Sequence, residues 1–141
     1  MADVIAPLPD WDVTLIDDNA ARLPQITPAT PVVAADMPRL ATHAPLNTDH
    51  LVMTYAHDID LALCHALLVR GFSSAGLIGS ATKWSRFRSR LTALGHNAED
   101  ISRIACPIGD PTLGKHPQAI AVGVAAALLK QGLGTMRVKA G

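Results

Sequence analysis

Several things are scarce in this 141-residue sequence, and each scarcity excludes something. There is no excess of either charge: twelve Lys and Arg face twelve Asp and Glu. No global field therefore draws in nucleic acid or anionic lipid. Cys64 and Cys106 are the only cysteines, too few for a disulfide framework and without the CxxC spacing of a zinc or redox site. A reducing cytoplasm is the expected compartment. Glu99 is the single glutamate, which excludes a pair of Glu acid–base catalysts. No apolar run approaches the roughly 18 residues of a membrane span, and Met1–Pro7 lacks the basic start and apolar stretch of a secretory signal. There is no GxxxxGK(S/T), no nucleophile elbow, no HExxH and no internal repeat.

What is present alternates between strand and helix patterns. Asp12–Asp18 is a β-branched run ending in two carboxylates, which predicts a strand buried on both faces. Prolines between Ala20 and Pro31 predict a surface loop. Pro31–Ala35 predicts a second short strand, with at most a turn of helix over Asp36–Leu40. Leu51–Thr54 predicts the next strand, and Asp58–Arg70 a helix with Ile59, Leu63, Ala66, Leu67 and Val69 mainly on one side and Gly71 as its cap. Ala75–Gly79 predicts a strand running into a glycine, after which Ser80 caps a basic helix from Ala81 to about Leu94. Asn97 starts a short helix over Ala98–Ile104. Cys106–Lys115 is a Gly/Pro loop, and Pro117 opens a last helix to Lys130, beyond which the tail from Thr135 is expected to fray. Such alternation implies right-handed crossovers and a parallel sheet covered on both faces. The expected fold class is α/β, doubly wound, with residues 1–141 as one domain.

In such a sheet, ligands bind beyond the carboxyl ends of the strands, which selects four places. Asp17 and Asp18 follow the first strand, where a carboxylate can hold a ribose hydroxyl, or simply solubilise a strand end. His57 follows Thr54 and either serves a ligand as donor and proton shuttle or is an exposed turn residue beside the capping Asp58. His57 and His65 stand too far apart along one helix for a shared metal to be expected. Gly79 and Ser80 lead into a helix start with Lys83 and Arg86 at helical spacing, a ready anion site or a solvated basic face; Trp84 and Phe87 read as core anchors. Gly109 and Gly114 permit close approach of a ligand, and Cys106 is either a thiolate or a small buried hydrophobe.

These residues carry a resemblance. Gly76–Ser80 followed by Lys83 and Arg86–Arg88, then Cys106–Gly109, Gly114–Lys115 and Pro117–Val122, look like the C-terminal half of the XdhC/CoxI family, the xanthine dehydrogenase accessory proteins. The Thr54, His57 and Asp60 spacing is similar as well, and the likeness runs in order from about Asp12 to Lys130. It implies a Rossmann-like, three-layer parallel sheet. It implies a protein that binds molybdenum cofactor transiently, assists its sulfuration and delivers it to a xanthine dehydrogenase-type apoenzyme, with a cysteine desulfurase as second partner and no turnover of its own. Asp17, Thr54, His57, Asp60, Gly79, Ser80, Lys83, Arg86, Cys106, Gly109, Gly114 and Lys115 are the residues carried into the cofactor crevice, with Ser80, Lys83 and Arg86 on its phosphate. The pattern also departs from the family's. The usual first strand and Gly-rich turn are expected to be lacking, Tyr55–Ala56 stands where His-Asp or His-Asn is usual, and Asp110 replaces a common Leu. Binding of NAD(P) is therefore not expected. The gap left by a missing central strand predicts rearranged pairing or a homodimer in which a second copy fills it. The rival readings are an NAD(P)-binding oxidoreductase and a module that only oligomerises or regulates.

Overall fold

The computed structural model describes residues 2–8 and 11–130 and the backbone of a strand at 136–140. In chain order the elements are α1 (Ala2–Ile5), β1 (Trp11–Asp17), a 3-10 turn at Ala20–Arg22, β2 (Thr30–Val33), α2 (Met37–Ala41), β3 (Asp49–Val52) and α3 (His57–Arg70). Then come β4 (Ser74–Leu77), α4 (Ala81–Ala93), α5 (Ala98–Ile101), β5 (Ile104–Ala105), a 3-10 turn at Pro111–Leu113, α6 (Pro117–Lys130) and β6 (Met136–Ala140). The six strands form one sheet in the order β2-β1-β6-β3-β4-β5, and every neighbouring pair is parallel. This is the α/β, Rossmann-like arrangement expected from the alternation of elements.

The centre of the sheet holds the main correction. The tail expected to fray from Thr135 contains β6, which pairs with β1 from Trp11↔Met136 to Leu15↔Ala140 and with β3 from Asp49↔Val138 to Leu51↔Ala140. β1 and β3 do not meet, so without β6 each would present an unpaired edge in the middle of the domain. Each buried backbone group left unsatisfied costs about 1–3 kcal/mol, so the vacancy is a strong driving force for a strand that local sequence barely encodes. The rearranged pairing expected above is thus present within one chain. A smaller correction concerns Ala98–Ile104: the helix stops at Ile101, and Ile104–Ala105 instead pairs with Ala75–Gly76 of β4.

Alternation along the strands divides the core between the two faces. On one face Ile16, Val52 and Leu77 meet Leu67 of α3, Phe87 and Leu91 of α4, and Ile101. On the other, Val13 and Leu51 meet Val124, Ala125 and Leu128 of α6 together with Ile5. α6 carries no charge between Pro117 and Leu129, which lets its inner side lie close against the sheet. No helix among the described residues is long and apolar enough to cross a membrane.

Candidate functional site

The sequence marks the carboxyl ends of the strands, and the structure divides the marked residues among three clusters there. The first is interior. Asp60, in the first turn of α3, is 1% exposed. Its Oδ1 accepts the Thr54 N–H at 2.8 Å and its Oδ2 the Lys83 ammonium at 2.7 Å. Lys83 Nζ also donates to the Ile78 carbonyl at 3.1 Å and sits 5.3 Å from the Phe87 ring centre. Gly79 leaves room for this: a Cβ there would stand 2.7 Å from Lys83 Cδ, and the lysine stem folded back beneath the turn would have to shift. Thr54, Asp60, Gly79 and Lys83 therefore tie the β3–α3 connection to the β4–α4 connection. Helical spacing placed Lys83 with Ser80 and Arg86 on a common anion-binding side; the buried carboxylate instead turns it inward, while Arg86 is exposed. A desolvated carboxylate so close outweighs a place in solvent.

Both thiols lie behind this tie. Cys64 is fully buried, and burial pushes its thiol up to about 12. Cys106 is half-buried, with Sγ 3.8 Å from the Gly79 carbonyl. Burial also raises its pKa, against a smaller pull downward from Lys83, so it is a thiol at neutral pH.

The second cluster is open. A cavity of about 310 Å³ lies between the β4–α4 turn, the loop after β5 and the start of α6. Ile78, Pro107, Ile108 and Ile120 give it apolar walls; Ser80, Asp110 and Lys115, with the backbone of Gly79 and Gly114, give it polar ones. Its floor requires glycine at two contacts. A side chain on Gly76 would overlap Ile108 Cδ1, and a Cβ on Gly123 of α6 would come 2.8 Å from the Asp110 N. Gly109, at φ +92°, bends the loop onto the Val124 backbone. Ser80 Oγ accepts the Lys83 N–H at 3.1 Å, so the N-terminus of α4 is capped beside the cavity. Asp110 Oδ1 accepts from the Thr112 N–H at 2.9 Å and the Thr112 hydroxyl at 2.6 Å, which hold the carboxyl below its usual range. Lys115 is exposed and makes no ion pair among the described residues.

The third cluster spans the central strand. Asp17, at the end of β1, accepts the Asn19 N–H at 2.9 Å and Arg22 at 3.1 Å. Asp18 accepts Arg22 at 3.0 Å and the Tyr55 hydroxyl at 2.7 Å. The Arg22 guanidinium lies 3.7 Å from the Tyr55 ring centre, so loops from β1 and β3 clasp across the end of β6. Sequence reading marked Asp17 and missed Arg22 and Tyr55. The Asp18–Arg22 spacing was available as a signal; the pairing with Tyr55, 37 residues away, was not. His57 stands exposed at the start of α3.

A cavity with apolar walls, a hydroxyl, one uncommitted cation and a helix start can bind a planar, phosphorylated ligand. Among the described residues there is no group of three or more His, Cys, Asp or Glu able to hold a metal ion. No curated protein matches the chain. The family model of the XdhC Rossmann domain matches residues 1–128, nearly the whole length over which the sheet and cavity are built. The chain belongs to the XdhC Rossmann-domain family.

Proposed function

We propose that the chain is a maturation factor that holds molybdenum cofactor as cargo in the cavity between the β4–α4 turn and the Gly109–Lys115 loop. Family membership supports a role in xanthine dehydrogenase maturation. The cavity is the observation that carries the finer reading: Ile78, Pro107, Ile108 and Ile120 suit the flat face of a pterin, and Ser80 and Lys115 beside the start of α4 suit its phosphate. Lys115 takes the part first expected of Lys83, whose ammonium is committed to Asp60. Gly79, Gly109 and Gly114 keep the walls close, with Cys106 adjoining them; His57 and Arg86 are exposed candidates for contact with a partner. In this reading the protein binds and hands over, with a cysteine desulfurase supplying sulfur and a xanthine dehydrogenase-type apoenzyme receiving the cofactor. A dinucleotide is a poorer fit, because the Asp17 carboxylate that would take its ribose is already bonded to Arg22 and Asn19.

The test is pterin content. The purified chain is incubated with a molybdenum cofactor source and separated by gel filtration, and the protein fraction is oxidised and read by pterin fluorescence. Stoichiometric pterin is expected, with Lys115→Ala retaining about a tenth of it at limiting cofactor. A folded protein that elutes free of pterin overturns the reading.

A further inference from the structure

We infer that Asp110 selects the heterocycle in this cavity: the site takes a phosphorylated ring whose edge presents an exocyclic 2-amino donor, the edge shared by pterins and guanine. The inference rests on the location of the ligand proposed above and adds the residue that reads it. Asp110 is the only carboxylate in the cavity wall among the described residues. Its Oδ1 is fastened by both donors of Thr112, while Oδ2 makes no hydrogen bond among the described residues. The backbone beneath it is fixed as well, since the Asp110 N packs against α6 at a position where only glycine fits. A carboxylate anchored at one oxygen and open at the other is a rigid acceptor for an amino group. It repels a carbonyl at the same place, so flavin and lumazine edges, which carry a 2-oxo group there, are disfavoured, and an edge with nothing at that position leaves the acceptor unmatched. The opposite charge, Lys115, lines the same cavity and suits the phosphate. At about 310 Å³ the space is near the lower end of ligand cavities, roughly 300–1,000 Å³, which suits one ring system and its phosphate.

Two matched pairs of probes test this on the full chain by calorimetry. 6-Hydroxymethylpterin against 6-hydroxymethyllumazine, and guanosine monophosphate against inosine monophosphate, each differ at the 2-position. The intact chain should prefer the amino member by about tenfold in at least one pair. Preference in the pterin pair alone assigns pterins, and in the guanine pair alone guanine nucleotides. Asp110→Asn should bring the ratio to about one while the thermal midpoint stays in place, and Thr112→Val, which frees the carboxylate to rotate, should lower it in part. No preference in either pair, or a preference that Asp110→Asn leaves intact, overturns the inference. Cofactor loading that persists in a chain indifferent to the 2-amino group would remove the role of Asp110 alone. Absent pterin in the loading experiment would remove the proposed cargo itself.

Discussion

At the ends of β1 and β3, Arg22 is gripped by two carboxylates and the face of Tyr55. At the ends of β4 and β5, Lys115 borders a cavity with no acidic group paired to it among the described residues. Both regions occupy the edge of the sheet where ligands usually bind, and both carry acids and a base. In the first the charges are spent on one another, so a ligand would have to displace an existing ion pair. In the second, Asp110 is anchored and Lys115 is uncommitted, so an incoming ligand meets groups already in position. Between them the Asp60–Lys83 tie holds the β3 and β4 connections in one arrangement and keeps the cavity's near wall still. Residue type does not separate binding from structural charge here; prior engagement does.

The sharpest way to break this contrast is to remove the tie. Asp60→Ala strands the Lys83 ammonium in a largely buried site, and losing one partner of a buried pair costs about 3–5 kcal/mol. Urea unfolding should show a loss of that order. A loss below about 1 kcal/mol would mean that Lys83 reaches solvent easily, and the cavity would then have a second available cation.

Next in size is the floor of the open region. Gly123→Ala places a Cβ 2.8 Å from the Asp110 N, so the loop carrying Asp110 has to lift from α6. Overpacking of this kind costs about 1–3 kcal/mol. The variant should unfold earlier by that margin and also bind pterin more weakly, whereas Gly95→Ala, strained by its φ of +100° but not among the residues that line the cavity, should lose stability and leave binding alone. Equal binding by the two variants would disconnect the loop from the site.

Much of this edge was legible in the sequence because local rules dominate there. A β-branched run marked β1, short apolar runs between polar and glycine breaks marked β3 and β4, Ser80 announced the start of α4, and Pro117 that of α6. Gly79, Ser80, Gly114 and Lys115 were placed correctly at a strand-end turn and loop, and they do meet in one cavity. What failed was long-range. Met136–Ala140 is five residues behind two glycines, and only the vacancy between β1 and β3 makes it a strand. Lys83 has ordinary spacing for an exposed helix residue, and Asp60, 23 positions away, turns it inward. Tyr55 was read as a departure from the family pattern, although its hydroxyl and ring complete the clasp on Asp18 and Arg22.

A histidine pair outside both regions serves as a reference for them. His65 Nδ1 and His96 Nε2 lie 2.7 Å apart, away from the cavity. Desolvation first, and the neighbouring His65 second, lower the pKa of His96 from its ordinary 6.5, with Asp100 opposing. A depressed pKa means that the folded state prefers the neutral ring. The stabilising contribution is therefore complete above pH 6.5 and is lost as the pH falls below that value. Urea midpoints should drop between pH 7 and pH 5 by less than the Gly123→Ala effect, and His96→Gln should flatten the dependence. A wild-type midpoint constant over this range would show that the imidazole contact adds nothing.

The smallest effects compare the two regions directly, because each holds one carboxyl below its usual range by a different donor. For Asp18 the largest cause is the Tyr55 hydroxyl, with Asp17 and Arg22 contributing; for Asp110 it is Thr112, through its hydroxyl and then its N–H. Both shifts favour the ionised form, so any stabilisation they bring is present above the ordinary carboxylate pKa and is lost as the pH falls through the lowered one. Side-chain carboxyl titration by NMR should show Tyr55→Phe raising the Asp18 midpoint while Asp110 stays in place. Thr112→Val should do the reverse, and only in part, because the backbone N–H at position 112 remains. Adding a phosphorylated pterin then separates the regions further: the Asp110 resonance should shift on binding and the Asp18 resonance should not. A shift at Asp18 instead would mean that the ligand had opened the Arg22–Tyr55 clasp, exchanging the roles assigned to the two ends of the crevice.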